Sequence, residues 1–209
     1  MINFKKLWKE NKGFILFIAL MSVFRSSFAD WYHVPTGSME PNIQVGDRIL
    51  VQKAAYRIDI PFTDIGIQHD TPARGDVVVF NSEAANNRLV KRVIGVPGDT
   101  VSLINNRLTV NNESAQYRLE TSQTTEVIGE MQRLVKTSGA IHPNKSFSTV
   151  RVPEGHLLVL GDNRDNSADS RVYGFVPISE IAGKASNILY SLDSDAYYLP
   201  RTTRFFKKI

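Results

Sequence analysis

Ser38 stands in the run VPTGSMEP, Val34–Pro41, between a glycine and a methionine and two residues after Thr36. Pro, Thr, Gly and Ser are turn residues, so a surface turn is the first reading of such a run. A serine in a turn becomes a nucleophile only where a base takes its proton and donors receive the oxyanion. Lys91 is a candidate base, in LVKRVIGVPGD, Leu89–Asp99, where Lys91 and Arg92 interrupt an otherwise apolar strand before a Pro-Gly turn. Neighbouring strand residues face opposite ways, so if one of this pair meets solvent the other points inward. An inward cation either joins an ion pair or loses its proton, unless the strand is an edge from which both side chains reach water. Lowering a lysine pKa from about 10.4 to about 7 takes roughly 4.6 kcal/mol of differential solvation, within the reach of burial. Arginine does not deprotonate in proteins, so only Lys91 of the pair qualifies as a base.

A third stretch, GDNRDNSADSR, Gly161–Arg171, follows the apolar run HLLVL. Asp162, Asp165 and Asp169 are oxygen donors, compatible with a solvated loop or a calcium loop, but their spacing departs from the EF-hand pattern. Two arginines among three aspartates point to internal ion pairs. A loop braced in that way can hold Ser167 as a hydrogen-bond partner for an amine. His33 is a rival base for Ser38; their spacing puts them on opposite faces of an extended strand, although a turn at Gly37 relaxes that argument.

The elements that must position these residues are short and β-rich. Apolar, β-branched runs bounded by Gly, Pro, Asn and Asp occur at Arg48–Lys53, Asp76–Phe80, Leu89–Val96 and His156–Leu160. DVVVF reads as a strand buried on both faces, and Thr100–Asn112 as a hairpin turning at Asn105-Asn106. Helix signals are few, the best being a short one around Pro177–Ile181. Residues 112–150 have weak periodicity and read as an inserted hairpin or loop region. The fold class is mainly β, one main domain with no internal repeat.

Composition closes several routes. There is no cysteine among the 209 residues, which excludes disulfides, thiolate metal sites and a cysteine nucleophile. His33, His69, His142 and His156 lack the close pairing of zinc sites, so no metal is expected. The formal charge of +4 is dispersed among carboxylates, without the basic helix or stacking aromatics of a nucleic-acid binder. Basic clusters lie at the ends: Lys5, Lys6, Lys9 and Lys12, then Arg201, Arg204, Lys207 and Lys208 around Phe205 and Phe206. They suit either an anionic membrane surface or a solvated tail.

After the first lysines comes an apolar run, Gly13–Phe24, then Arg25 and SSFADWY. As a secretory signal peptide it would be cut after Ala29, with Ser27 at minus three. As an anchor it is short, since a helix from Phe14 to Phe28 rises about 22 Å against a hydrocarbon core of roughly 30 Å. Arg25 reaching to the interface and the aromatic pair Trp31 and Tyr32 would help it. The expected organisation is a basic cytoplasmic segment 1–12, a transmembrane helix 13–30, and an extracytoplasmic domain 31–209.

Together VPTGSMEP, ARGDVVVF with LVKRVIGVPGD, and GDNRDNSADSR resemble, in this order, the bacterial type I signal peptidases, membrane-bound Ser/Lys proteases that remove signal peptides from exported preproteins. The three blocks and the apolar segment before them span most of the chain. The resemblance implies a β-rich signal-peptidase-like catalytic domain with an N-terminal transmembrane helix in the cell membrane, needing no cofactor. By position it makes Ser38 the nucleophile and Lys91 the general base, with the Ser38 amide and the Thr36 hydroxyl as oxyanion donors. It gives Ser167 the orienting of the lysine amine, Asp169 and Arg171 a supporting ion pair, and Gly161, Asp162 and Asn163 the turn beside the site. Val34, Ile43 and Val90 become candidate linings of shallow pockets for small residues at minus one and minus three. Its partners would be preprotein signal peptides and membrane lipid, with the monomer as default. Many members carry Ser where this chain has Thr36, and some have two apolar segments where this one has one. Two alternatives remain at this stage: a specialised Ser/Lys peptidase processing pilins or conjugation factors, and a tethered β-domain that only binds a partner.

Overall fold

The computed structural model describes residues 4–61, 63, 65–120, 123–138, 143–193 and 196–209. Its main sheet is antiparallel and starts with Ala29–His33 (β1), Asp47–Gln52 (β2), Val77–Ser82 (β3) and Asn87–Gly95 (β4). A second, four-stranded sheet is built on Thr100–Ile104 (β5) and Arg107–Val110 (β6). A three-stranded meander follows: Gln116–Glu120 (β7), Gln123–Ile128 (β8) and Met131–Val135 (β9). Phe147–Arg151 (β10) returns to pair with β5. His156–Leu160 (β11) and the long Ile181–Asp193 (β12) complete the main sheet, whose order is β1-β2-β12-β3-β4-β11, closed by the two residues Val176–Pro177.

The expected strands lie where their composition puts them, and the reason is visible in their burial. Val77–Phe80 is buried at four successive residues because β3 lies between β12 and β4 and is covered on both faces. Val77 and Val79 join Ile49, Val51 and Ile188 in one core cluster, while Val78 and Phe80 join Val93, Leu157 and Val159 in another. Each such side chain contributes on the order of 1.5–3 kcal/mol by leaving water. Asn105 and Asn106 both take positive φ, 51° and 60°, in the turn joining β5 to β6. Asparagine tolerates that conformation well.

Four expectations change. Residues 112–150 are more than one hairpin or loop, holding the meander β7–β8–β9 and then β10; 121–122 and 139–142, with His142, lie outside the described residues. The apolar N-terminal run is helical, but the helix, α1, spans Phe4–Ser27 and so takes in Lys5, Lys6, Lys9 and Lys12, while Ala29 and Asp30 already belong to β1. No helix among the described residues is long and apolar enough to cross a membrane. The physical reason is that charge occupies its first half and leaves too short an apolar run. Arg25, expected to reach toward an interface, binds Asp30 at 2.7 Å and lies over the Trp31 ring at 4.2 Å. The short helix expected at Pro177–Ile181 is a single 3-10 turn, Ile178–Glu180.

Candidate active site

Ser38 lies in the connection between β1 and β2. The pairing of these strands continues through Val34, whose N–H donates to the Asp47 carbonyl at 2.9 Å, and the chain then folds into one 3-10 turn, Gly37–Met39. Met39 is buried and pins this turn to the core cluster that also holds Val34 and Ile43. Gly37 leaves room for the Glu40 carboxylate, whose Oε1 folds back over the turn to within 2.8 Å of where a Cβ would stand. Thr36 is extended (φ −130°, ψ 151°) and exposed, and its hydroxyl makes no capping bond to the turn.

Lys91 reaches this turn from the middle of β4. Its Nζ donates to Ser38 Oγ at 2.7 Å, and the residue is only 3% exposed. Val78 on β3 is its cross-strand partner, and on the other side Leu160 of β11 pairs with Arg92. The polar loop that leaves β11 at Gly161 therefore emerges beside the lysine. Burial pushes the Lys91 amine down to about 8; the carboxylates of Asp169 and Asp162 act against that shift, and the Arg171 guanidinium adds to it.

The polar loop grips the serine turn by its backbone. Asn163 N–H donates to the Ser38 carbonyl at 3.0 Å, and the Asn163 side-chain amide donates to the Gly37 carbonyl, also at 3.0 Å. Gly161 allows this approach, because a Cβ there would lie 2.6 Å from the Ser38 carbonyl oxygen and 2.2 Å from Ser167 Oγ. Ser167 is thus packed against the site, and its buried hydroxyl has no hydrogen-bond partner among the described residues, Lys91 included. Asp169 accepts from Arg171 Nε and Nη2, each at 2.8 Å, and from the Gly161 N–H at 2.9 Å. It also caps the short helix α2, Ser170–Tyr173.

Arg92 is buried like Lys91, so both cations of the pair lie inside and neither meets solvent. β4 is covered on both faces from Lys91 onward. Arg92 makes two bonds to Asp162, at 2.9 and 2.7 Å, and a third to the Gly75 carbonyl. Asp165 accepts from Asn106 and Ser138, so the three aspartates of the loop are all engaged by protein donors. Among the described residues no cluster of His, Asp and Glu is arranged to hold a metal ion. His33 is exposed at the end of β1 and no hydrogen bond joins it to Ser38. Val34 and Ile43 are wholly inside the core, 3% and 0% exposed, and Val90 packs against them from a partly buried position.

Sequence reasoning missed the buried charges that tie the meander to this loop. Glu126 on β8 accepts from Arg164 at 2.7 Å and from Arg133 on β9, and Tyr117 on β7 donates to it at 2.6 Å. Burial works to raise the Glu126 pKa, but Arg164 and Arg133 outweigh it and hold the carboxyl down to about 2. A signal was present: Glu126 and Arg133 are direct cross-strand partners about a turn containing Gly129. Also missed was the ion pair of Lys136 with Glu40, at 2.8 Å.

Chemically, a buried lysine bonded to a serine in a glycine-containing turn is the arrangement of a serine hydrolase with an amine as its base. The family model described as signal peptidase, peptidase S26, matches residues 8–190. A signal peptidase I of Pseudomonas aeruginosa is 37% identical over 204 residues, covering 86% of this chain and 71% of its own. One from Rickettsia bellii is 32% identical over 220 residues, covering 90% and 75%. A crystal structure of a signal peptidase I from Enterococcus faecalis aligns with 56% of this chain and 98% of its own, at 29% identity and a TM-score of 0.38. The chain belongs to the peptidase S26 family of signal peptidases, and it is a serine endopeptidase.

Proposed function

We propose that this endopeptidase removes signal peptides from exported preproteins through Ser38 and Lys91. The observation that carries the roles is the 2.7 Å bond from a buried Lys91 amine to Ser38 Oγ. Neutral Lys91 takes the Ser38 proton as Oγ attacks the carbonyl after the minus-one residue. The oxyanion is received by the Ser38 amide and the Thr36 hydroxyl, and Lys91 then protonates the leaving amine. Deacylation repeats the exchange with water. The signal-peptide end lies extended between the segment before Ser38 and β4, adding main-chain hydrogen bonds as a strand does. Small residues at minus one and minus three fit there beside the partly buried Val90, since Val34 and Ile43, expected to line the same pockets, lie inside the core. The Asp169–Arg171 pair stiffens the loop whose Asn163 binds the Ser38 turn, and Ser167, packed beside Gly161, is the residue of that loop offered for orienting the lysine amine once substrate is bound.

The chain is attached to the cell membrane by the apolar half of α1, with residues 31–209 on the extracytoplasmic side. Phe14, Leu16, Phe17, Leu20, Met21 and Phe24 support this, since each is 41–66% exposed and the protein does not cover them. On alkaline carbonate extraction the full chain stays with the membranes, and replacing Phe17, Leu20, Met21 and Phe24 by Ser releases it; extraction of the unmodified chain would overturn the attachment. Cleavage is tested with a preprotein carrying an Ala-x-Ala site: the full chain cuts after the second Ala and Ser38→Ala does not. Equal cutting by Ser38→Ala would remove Ser38 from the mechanism.

A further inference from the structure

An open groove of about 270 Å³ lies directly beyond the serine turn, lined by Glu40, Gln44, Gln123, Thr124, Lys136 and Thr137 with Pro41 and Val135. Three features fix it relative to Ser38. Glu40 follows the nucleophile by two residues, and its carboxylate bends back over Gly37. Lys136 N–H donates to the Asp162 carbonyl and the Lys136 carbonyl accepts from Arg164 N–H, each at 2.9 Å, so its backbone pairs with the loop that also binds the Ser38 carbonyl. The Lys136 and Glu40 side chains then join across the groove at 2.8 Å. Of the two, the Lys136 side chain is the more open to solvent, 56% against 29%.

The position of the groove decides what it takes. On the reading given above, the signal-peptide end occupies the segment before Ser38, so the chain after the cut bond leaves past the residues that follow Ser38. That side offers amides, hydroxyls and one open ammonium. We propose that this groove is a subsite for the first residues of the mature segment, and that Lys136 makes it prefer an acidic side chain there. Glu40 holds the ammonium in place and partly offsets its charge. The preference is therefore modest, as expected for a charge contact near solvent.

The proposal rests on the Ser38 reading, and the assay separates the two. Three preproteins with one Ala-x-Ala site are compared, carrying Glu, Ser or Lys at the second mature position. Cleavage of the Ser substrate by the full chain reports the peptidase itself; if it fails, the Ser38 reading falls and not merely the subsite. The unmodified protein is expected to favour Glu over Lys about two- to fivefold in kcat/KM, the ratio falling toward one in high salt. Lys136→Glu inverts the ratio, and Glu40→Gln, which frees the ammonium, increases it. Because each ratio is taken within one variant, loss of folded protein cancels. A Glu to Lys ratio that is the same in the unmodified protein, Lys136→Glu and Glu40→Gln would overturn the proposal.

Discussion

On the proposed mechanism Lys91 meets two demands that oppose each other, since the burial that would make it a base also makes the folded chain less stable. Its amine titrates near 8 in the folded protein and near 10.5 when exposed, so between those values the unfolded chain holds more protons. Stability then rises as pH rises from about 8 to about 10.5, and below 8 the full cost is present. Lys91→Met removes the cost: we expect a gain of about 1–3 kcal/mol at pH 7 in urea unfolding, and loss of the alkaline rise. Cleavage follows the neutral amine, so kcat/KM increases about tenfold per pH unit below 8 and levels off above it. A flat profile between pH 6 and 9 would mean that another group is the base. At this scale the sequence was informative because lysine in an apolar strand is chemically unusual. It did not reveal Arg92 as equally buried, because the alternation argument assumes one wet face and β4 has none at that point.

Elements explain why the site holds its shape. β4 brings Lys91, the β1–β2 connection brings Ser38, and the loop after β11 is tied to the serine turn through Asn163 and to β4 through Asp162 and Arg92. Gly161→Ala should push that loop off the serine turn. Its Cβ would meet the Ser38 carbonyl at 2.6 Å, and backbone cannot yield as a side-chain tip does. We expect at least about a hundredfold loss of kcat with a smaller effect on KM. The meander braces the same loop through buried charge. Glu126→Gln leaves Arg133 and Arg164 facing each other without a carboxylate and should cost about 3–5 kcal/mol, read as a lower urea midpoint. In the unmodified protein this contribution is complete above about pH 4.5 and is lost as pH falls toward 2, because the folded Glu126 pKa is depressed. Strands with continuous apolar runs could be read from sequence, whereas β7–β9 could not. Their short segments alternate weakly, and their fixed partner, Arg164, lies 38 residues from Glu126.

For the whole molecule, the sequence carried the β class and the three blocks that meet at the site, because turn residues and apolar runs are local signals. It carried the N-terminal segment less well. Hydropathy marked the apolar run, but the helix spans Phe4–Ser27, and Lys53, in the turn after β2, binds the Ser26 carbonyl near its end. That contact fixes the end of α1 to the catalytic domain. The chain is therefore arranged as a β-rich body carrying the Ser38–Lys91 site and its polar loop, with an exposed apolar helix before β1 and a basic, aromatic C-terminal segment paired with β12. The most direct test of the account is preprotein cleavage by Lys91→Met in the full chain, with circular dichroism and urea unfolding confirming that the variant is folded. The account predicts that this folded variant makes no cut at the Ala-x-Ala site at any pH between 6 and 10. Substantial cleavage there by folded Lys91→Met would contradict it.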